Sequence, residues 1–126
     1  MTEYFIETDG LTVNRIIRHV ARYFGCTPAH ITGPARRDRD VLVRRVALFM
    51  IRTLLKGDKD ASYSALGRLM SRYHTCIMDY EKGANAMLLR TDDTALEFQR
   101  ELSGFQDYLY ARHGDVEKNS DELQVR

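Results

Sequence analysis

Apolar residues recur at intervals of three and four along most of this chain, and this spacing most constrains its fold. The clearest run lies before Gly25 and places on one helical face Val13, Ile16, Ile17, Val20, Ala21 and Phe24. Strict alternation of apolar and polar residues, the pattern of a half-buried strand, extends nowhere for more than a few residues. The spacing therefore predicts an all-α fold.

Capping and turn residues place the ends of the first predicted helices. Thr12 is a candidate N-cap and Gly25 a stop for the first helix. A single helical turn is predicted to begin at Thr27-Pro28 and to end at Gly33-Pro34. A charged loop then leads into the longest apolar face of the chain.

That face predicts a central core helix from Val41 to about Lys56, with Asp40 as its cap and Gly57 after its end. Its predicted core residues are Leu42, Val43, Val46, Ala47, Met50, Ile51 and Leu54. The remaining surface of this helix is expected to carry Arg44, Arg45 and Arg52.

Two shorter helices separated by a tight turn are predicted next. The first runs from Tyr63 to Met70 with Ser62 as a cap candidate, and the second runs from Tyr73 or His74 to about Leu89. The predicted core positions are Leu66, Leu69, Met70, Ile77, Tyr80, Ala84, Met87 and Leu88. A polar first turn on the second helix is typical of a helix-turn-helix DNA reader.

A last helix is predicted from Thr91-Asp92-Asp93 to Gly114, with an apolar side formed by Leu96, Phe98, Leu102, Phe105 and Leu109. We therefore expect an N-terminal extension (1–11), one main helical domain (12–90), an additional C-terminal helix packed on or extending from it (91–114), and a disordered tail (115–126).

Charge is distributed unevenly along the chain, although its formal total is only +1. Residues 14–90 carry fifteen Lys and Arg against six Asp and Glu, a net +9, whereas residues 91–126 carry four against nine, a net −5. A block this basic favours a polyanionic partner, either nucleic acid or an anionic membrane. A role at the membrane surface ranks below DNA binding, because the bases cluster at a loop and turn rather than along one amphipathic helix.

Other classes of protein are disfavoured by composition. The chain has no apolar run near the roughly 20 residues that cross a bilayer, and its first residues lack the pattern of a signal peptide. Two cysteines fifty residues apart do not form a disulfide framework. We expect a cytoplasmic protein that contacts no membrane.

Catalytic and cofactor motifs are missing from the sequence. Four histidines and two cysteines show no metal-ligand or nucleophile spacing, and no glycine-rich phosphate loop occurs. We therefore expect no enzymatic activity, metal, cofactor or nucleotide.

The basic loop is more informative, because five arginines lie where it meets the long helix: Arg36, Arg37, Arg39, Arg44 and Arg45. Guanidinium groups beside a helix N-terminus suit phosphate contact or insertion into a narrow minor groove. The alternative is a solvated loop in which Asp38 and Asp40 neutralise their neighbours.

One hexapeptide carries a family resemblance. Arg72-Tyr73-His74-Thr75-Cys76-Ile77 resembles the Arg-Asp-His-[Ser/Thr]-Thr-[Val/Ile] motif that ends the helix-turn-helix of the C-terminal DNA-binding domain of DnaA, the bacterial replication initiator. The resemblance covers roughly residues 12–90, and includes the apolar-glycine pair Leu66-Gly67 of the preceding helix. It implies a small helical bundle, also similar to the Trp repressor.

The resemblance also implies roles for individual residues. It places Arg37 in the minor groove and three further base contacts in the major groove, Tyr73, His74 and Thr75. Backbone contacts are implied for Arg36, Arg39, Arg44, Arg45, Ser62, Tyr63, Arg72 and Cys76. His74 has the alternative role of a capping or surface histidine.

Two substitutions depart from the family motif. Tyr73 replaces an acidic residue that can accept a hydrogen bond from a cytosine amino group, and Cys76 replaces a threonine. We expect an altered base preference. The eleven residues before Thr12 leave no room for the family's ATPase domain, so ATP hydrolysis is not expected.

These observations favour sequence-specific binding of double-stranded DNA, at sites similar to DnaA boxes, by a nucleoid-associated protein that regulates replication initiation or transcription. Both a chromosomal and a phage origin stay open. The alternative is a protein-interaction module that keeps the fold without specific readout. The C-terminal helix carries more apolar residues than one stripe needs, and these either close the core, form a homodimer or bind a protein partner.

Overall fold

Helices form where the apolar spacing predicts them. The computed structural model describes residues 10–34 and 37–113, and within these ranges it contains one 3₁₀ turn at Lys59–Ala61 and no strand. The α-helices are α1 (Val13–Phe24), α2 (Pro28–Thr32), α3 (Asp38–Leu54), α4 (Tyr63–Leu69), α5 (His74–Met87) and α6 (Asp93–His113). The all-α class is confirmed.

Local capping chemistry explains several of these boundaries. The Thr12 hydroxyl accepts a hydrogen bond from the backbone N–H of Arg15 at 3.1 Å and begins α1. Gly25 ends α1 with a φ of 71°, in the left-handed region that glycine adopts at low cost. Ser62 begins α4 in the same way as Thr12, with its Oγ 3.1 Å from the backbone nitrogen of Ala65.

The start of α3 differs from the prediction. The helix begins at Asp38 rather than Val41, so Arg37 holds the N-cap position and Asp40 lies in the first turn. Asp40 is buried and accepts a hydrogen bond from Arg37 Nε at 3.3 Å. Two carboxylates in the first turn are favourable beside the positive end of the helix dipole, which extends the helix toward the loop. At its other end α3 stops at Leu54, before the predicted Lys56.

The core is formed around α3, which packs against α1, α2, α5 and α6. The buried residues of α3 include six of the seven predicted ones, with Leu54 partly buried. Three predicted core leucines are instead exposed, by 40 % for Leu69, 38 % for Leu88 and 44 % for Leu96. Leu69 is the last residue of α4, Leu88 follows the last residue of α5, and Leu96 lies in the first turn of α6.

The last helix packs against α1, α3 and α5, and its large apolar residues are used for this contact. Phe98, Phe105 and Leu109 are fully buried. Tyr23 of α1 packs against two rings of α6. Its ring centroid lies 5.7 Å from that of Phe105 and 5.4 Å from that of Tyr108. The apolar residues of α6 therefore close the core of this chain, while the predicted stop at Gly114, the tail and residues 1–9 lie outside the described residues. No helix among the described residues is long and apolar enough to span a membrane.

Candidate nucleic-acid interface

The turn between α4 and α5 is tight and depends on a glycine. Ser71 has a φ of 52°, and the backbone N–H of Arg72 donates to the carbonyl of Gly67 at 2.8 Å. A Cβ on Gly67 would lie 2.7 Å from the Arg72 carbonyl oxygen, closer than any real side chain allows. The apolar-glycine pair of the sequence therefore permits the close approach of the two helices.

The first turn of α5 presents its polar side chains to solvent. Tyr73 holds the N-cap position and is 81 % exposed, and His74 and Thr75 are exposed beside it. Cys76 is half-buried and the following Ile77 fully buried, which anchors the turn to the core. The structure thus brings the three predicted major-groove residues together on one exposed helix end.

The basic loop reaches the N-terminus of α3. The side chain of Arg37 is 83 % exposed and forms an ion pair with Asp40. Arg39 forms a longer ion pair with Glu101 of α6 at 3.5 Å, and its guanidinium lies 5.2 Å from the centre of the Phe24 ring. Arg36 lies outside the described residues.

Arg44 corrects the sequence prediction. Its side chain was expected on the surface and implied as a phosphate contact, but it is completely buried. Its guanidinium donates to four oxygens, the carbonyls of Ile31 at 2.8 Å, His30 at 3.2 Å and Gly33 at 3.0 Å, and the hydroxyl of Tyr80 at 3.1 Å. A buried guanidinium has no surface from which to contact a phosphate. Arg44 instead holds the end of α2 to α3 and α5.

Arg72 makes a second connection to the same place. Its Nη2 donates to the Gly33 carbonyl at 3.0 Å, and its Nη1 donates to the carbonyl of Met70 at 3.0 Å. Gly33 ends α2 and precedes the basic loop. The oxygen of Gly33 therefore joins the helix-turn-helix turn to the base of the loop.

Arg45 is half-buried rather than fully on the surface. Its guanidinium carbon lies 5.9 Å from the centre of the Tyr80 ring, and its buried Nε has no hydrogen-bond partner among the described residues. Burial lowers the pKa of this guanidinium. The phosphate contact implied for Arg45 stays a prediction.

The start of α4 is occupied by contacts within the protein. The Ser62 hydroxyl caps the helix, and the Tyr63 hydroxyl donates to Oε1 of Glu81 on α5. Arg52, expected on the surface, is half-buried, with its guanidinium 4.0 Å from the centre of the Tyr63 ring and its Nε 3.1 Å from Glu81 Oε2. The role of Glu81 is not visible in the sequence, because both of its partners are more than fifteen residues away.

Candidate metal ligands are scattered over the described residues. Across residues 10–34 and 37–113 no group of three His, Cys, Asp or Glu side chains is placed to hold a metal ion. Burial raises the pKa of the Cys26 thiol, which disfavours its reactive thiolate form. The arrangement instead provides two exposed polar elements, Arg37 at the end of the loop and the first turn of α5.

Comparison with known proteins identifies the family. Residues 13–82 match the bacterial DnaA protein helix-turn-helix family. The chain is 30% identical over 96 residues to chromosomal replication initiator protein DnaA 1 of Chlamydia trachomatis, which covers 76% of this chain and 20% of the relative. It is 36% identical over 74 residues to the DnaA initiator of Thermus thermophilus, covering 58% of this chain and 15% of the relative.

The chain thus spans a fifth or less of the length of these relatives. The matched residues contain α1 to α4 and the first nine residues of α5, and so include the turn of the helix-turn-helix and the first turns of its second helix. By this match the chain belongs to the bacterial DnaA helix-turn-helix family and carries a DNA-binding domain.

Proposed function

We propose that this chain is a sequence-specific reader of double-stranded DNA, and that binding rather than catalysis is its activity. The first turn of α5 enters the major groove, and Arg37 enters the adjacent minor groove. The observation that carries this proposal is the acceptor shared at Gly33. Its carbonyl accepts hydrogen bonds from Arg72, in the turn before α5, and from Arg44 of α3, and so links that turn to the segment that leads to Arg37.

The exposed residues of α5 have the chemistry that reads base edges. Thr75 offers a hydroxyl to a base or a methyl group to thymine, and the His74 ring offers a nitrogen as donor or acceptor. Tyr73, at the N-cap of α5, replaces an acid that would accept a hydrogen bond from cytosine. The DNA site preferred by this chain therefore differs from the sites of the family at the base that this residue contacts.

Exposed cations at the edge of this surface contact the phosphate backbone of the DNA. Arg39 is 59 % exposed, and its ion pair with Glu101 is long enough to exchange for a phosphate. Arg36 is proposed to join it from the loop. Arg72 acts chiefly on the turn, and Ser62 and Tyr63 support the start of α4.

Sites similar to DnaA boxes are the proposed target. The curated relatives are named chromosomal replication initiator proteins, which favours regulation of replication initiation over regulation of transcription for this chain. A nucleoid-associated protein that occupies initiator sites would compete with an initiator there.

Fluorescence anisotropy with a duplex carrying an initiator box and with a scrambled duplex tests this proposal. His74→Ala should weaken binding to the preferred duplex by about 1–3 kcal/mol and remove the preference. Lys59→Ala, which removes an exposed charge before α4, should change neither. Equal and weak binding of both duplexes by the unmodified chain would overturn the proposal.

A protein-interaction module is the second candidate. Leu89 is 88 % exposed, and Leu88 and Leu96 beside the α5–α6 connection are also exposed. Three exposed leucines near one connection favour contact with another protein. A chain that binds neither duplex but forms a complex sensitive to Leu89→Ser would support this function instead.

A further inference from the structure

A second cationic surface lies on α1. This helix contains no Asp or Glu among its 12 residues, and its buried residues occupy one face. Arg15, Arg18 and Arg22 are all exposed on the opposite face, at spacings of three and four residues. We call these three residues the α1 arginine stripe. Together with His19 they line an open hollow of about 260 Å³.

The stripe is not neutralised within the described part of the chain. No ion pair joins any of its three arginines to a carboxylate there. The acids on the neighbouring face of α6 are Glu101, which pairs with Arg39, and Asp107. Burial is the largest cause of the raised pKa of Tyr23, and the negative charges of Glu101 and Asp107 raise it further. Both acids therefore lie near Tyr23. Among the described residues, the three guanidinium groups on the outward face of α1 therefore have no carboxylate partner.

The last turn of α1 lies beside the start of α3. Phe24, in the last turn of α1, lies under the guanidinium of Arg39 at the start of α3, two residues after Arg37. From Arg22 to Arg15 the helix rises about 10 Å at 1.5 Å per residue. The stripe lies on the side of α1 opposite Phe24, and its length matches a few nucleotides along a DNA strand.

We propose that the α1 arginine stripe binds the phosphate backbone of duplex DNA that flanks the site read by α5 and Arg37. This inference rests on the proposed function and extends the same DNA complex. Duplex DNA is the occupant that the charge favours, because a planar guanidinium binds phosphate oxygens with paired hydrogen bonds and the stripe offers three of them in a line. Such contacts add affinity without reading sequence.

Salt dependence measures these contacts directly. Each phosphate neutralised contributes about −0.9 to the slope of log affinity against log salt concentration. We would compare a short duplex limited to the recognised site with a duplex extended at both ends. The unmodified chain should show a slope steeper by about two to three on the extended duplex.

The variant Arg15→Gln/Arg18→Gln/Arg22→Gln should lose this difference while keeping its slope on the short duplex and its base preference. Arg18→Gln alone should lower the extended-duplex slope by about one. The matched control removes three exposed charges elsewhere, as Lys56→Gln/Lys59→Gln/Arg100→Gln, and should keep the difference.

Equal salt slopes for the unmodified chain on both duplexes would overturn this inference, and so would an unchanged slope difference in the stripe variant. In either case, a base preference on the short duplex would still support the proposed function. Loss of preference on both duplexes would instead reject the proposed function. Stripe-dependent binding of a poly-glutamate peptide with unchanged DNA slopes would assign the face to an acidic protein and also overturn the inference.

Discussion

The guanidinium of Arg72 donates to the backbone carbonyl of Gly33 at 3.0 Å, across 39 residues of sequence. The same oxygen accepts a hydrogen bond from Arg44 at 3.0 Å. One backbone atom therefore joins the turn of the helix-turn-helix, the long helix α3 and the segment that leads into the basic loop. The proposed reading of two grooves would depend on such a link, because each contact gains from correct placement of the other.

Coupling between the loop and the turn is the first prediction. In the double-mutant cycle of Arg72→Ala and Arg37→Ala, the loss of DNA affinity from Arg37→Ala should shrink when Arg72 is already absent, with an interaction of about 0.5–3 kcal/mol. The reason is that an unanchored loop no longer places Arg37 in the minor groove. Anisotropy titrations on the preferred duplex measure all four affinities.

The matched control for this cycle is Arg68→Ala, an exposed arginine on α4 that forms no ion pair within the described ranges. Its effect should add to that of Arg37→Ala. Additive losses for Arg72 as well would mean that it contacts DNA independently and does not position the loop.

Arg44 is predicted to stabilise the fold. Arg44→Met keeps an apolar stem but leaves three backbone carbonyls and the Tyr80 hydroxyl without this donor. Because buried polar groups are costly to leave unsatisfied, the free energy of unfolding should fall by about 2–5 kcal/mol. Urea denaturation measures the change. The exposed Arg39→Met should cost less than about 1 kcal/mol, and an equally small loss for Arg44→Met would contradict the prediction.

Gly104 is predicted to be required by the packing of α6 on α1. A Cβ at this position would lie 2.1 Å from the Tyr23 hydroxyl, and Tyr23 is held between Phe24, Phe105 and Tyr108. Gly104→Ala should therefore destabilise the chain by about 1–3 kcal/mol, although alanine normally favours a helix.

Thermal denaturation with two companion variants tests the cause. Gly83→Ala in α5 has open space around its Cβ and should stabilise the chain by about 0.5–1 kcal/mol. Tyr23→Phe removes the clashing hydroxyl and should recover part of the loss caused by Gly104→Ala. No recovery in the double variant would show that the hydroxyl is not the obstacle.

Tyr73 is predicted to set the base preference at one position. Tyr73→Asp restores the acid of the family motif at an exposed N-cap, where a carboxylate can accept from a cytosine amino group. Affinity should shift toward a duplex with the family's cytosine by about 1–3 kcal/mol relative to the other bases. Binding to a panel of duplexes varied at each position reveals the shift. Tyr73→Asn is the uncharged control, and a uniform change across the panel would exclude base readout at this residue.

The start of α6 is predicted to depend on pH. Asp92 accepts two hydrogen bonds from Arg90, at 2.7 and 2.9 Å, and one from the backbone N–H of Ala95 at 3.4 Å. These contacts lower the pKa of Asp92 from 3.8 to about 2, the hydrogen bond with Arg90 being the largest cause. A carboxylate whose pKa is lowered by folding stabilises the fold above its unfolded pKa, and this contribution is lost as the pH falls through the folded value.

Thermal denaturation between pH 7 and pH 2 measures that contribution. The chain should have a higher Tm than Asp92→Asn at neutral pH, and the difference should narrow only below about pH 4. Because Asp92 is exposed to solvent, added salt should reduce the effect. A difference that stays constant down to pH 2 would exclude ionisation of Asp92 as its source.

Local features of the sequence predict the secondary structure well. Thr12, Gly25 and Ser62 act where their capping chemistry places them, and apolar spacing identifies the buried face of α1. The start of α3 was mispredicted because Asp40 has the residue type of a cap, while the helix gains more by placing it in the first turn. The family motif, which carries the resemblance, identified the helix-turn-helix as a unit.

Whether each arginine is exposed or buried was decided only by the tertiary structure. Arg37 and Arg44 lie on the same helical segment and carry the same charge, yet one is exposed and the other is completely buried. A helical pattern predicts which side of a helix a residue occupies, but burial depends on the elements that cover that side. Here the covering groups are carbonyls of α2 and a tyrosine of α5, and only the folded chain brings them together.

The sequence by itself therefore determined that this protein is a helical, basic DNA-binding domain, because helix periodicity, capping and the recognition motif are all local along the chain. The tertiary structure decided which cations face solvent and which hold the domain together. Hydrogen bonds such as that from Arg72 to Gly33 join distant segments, and their geometry exists only after the helices have packed.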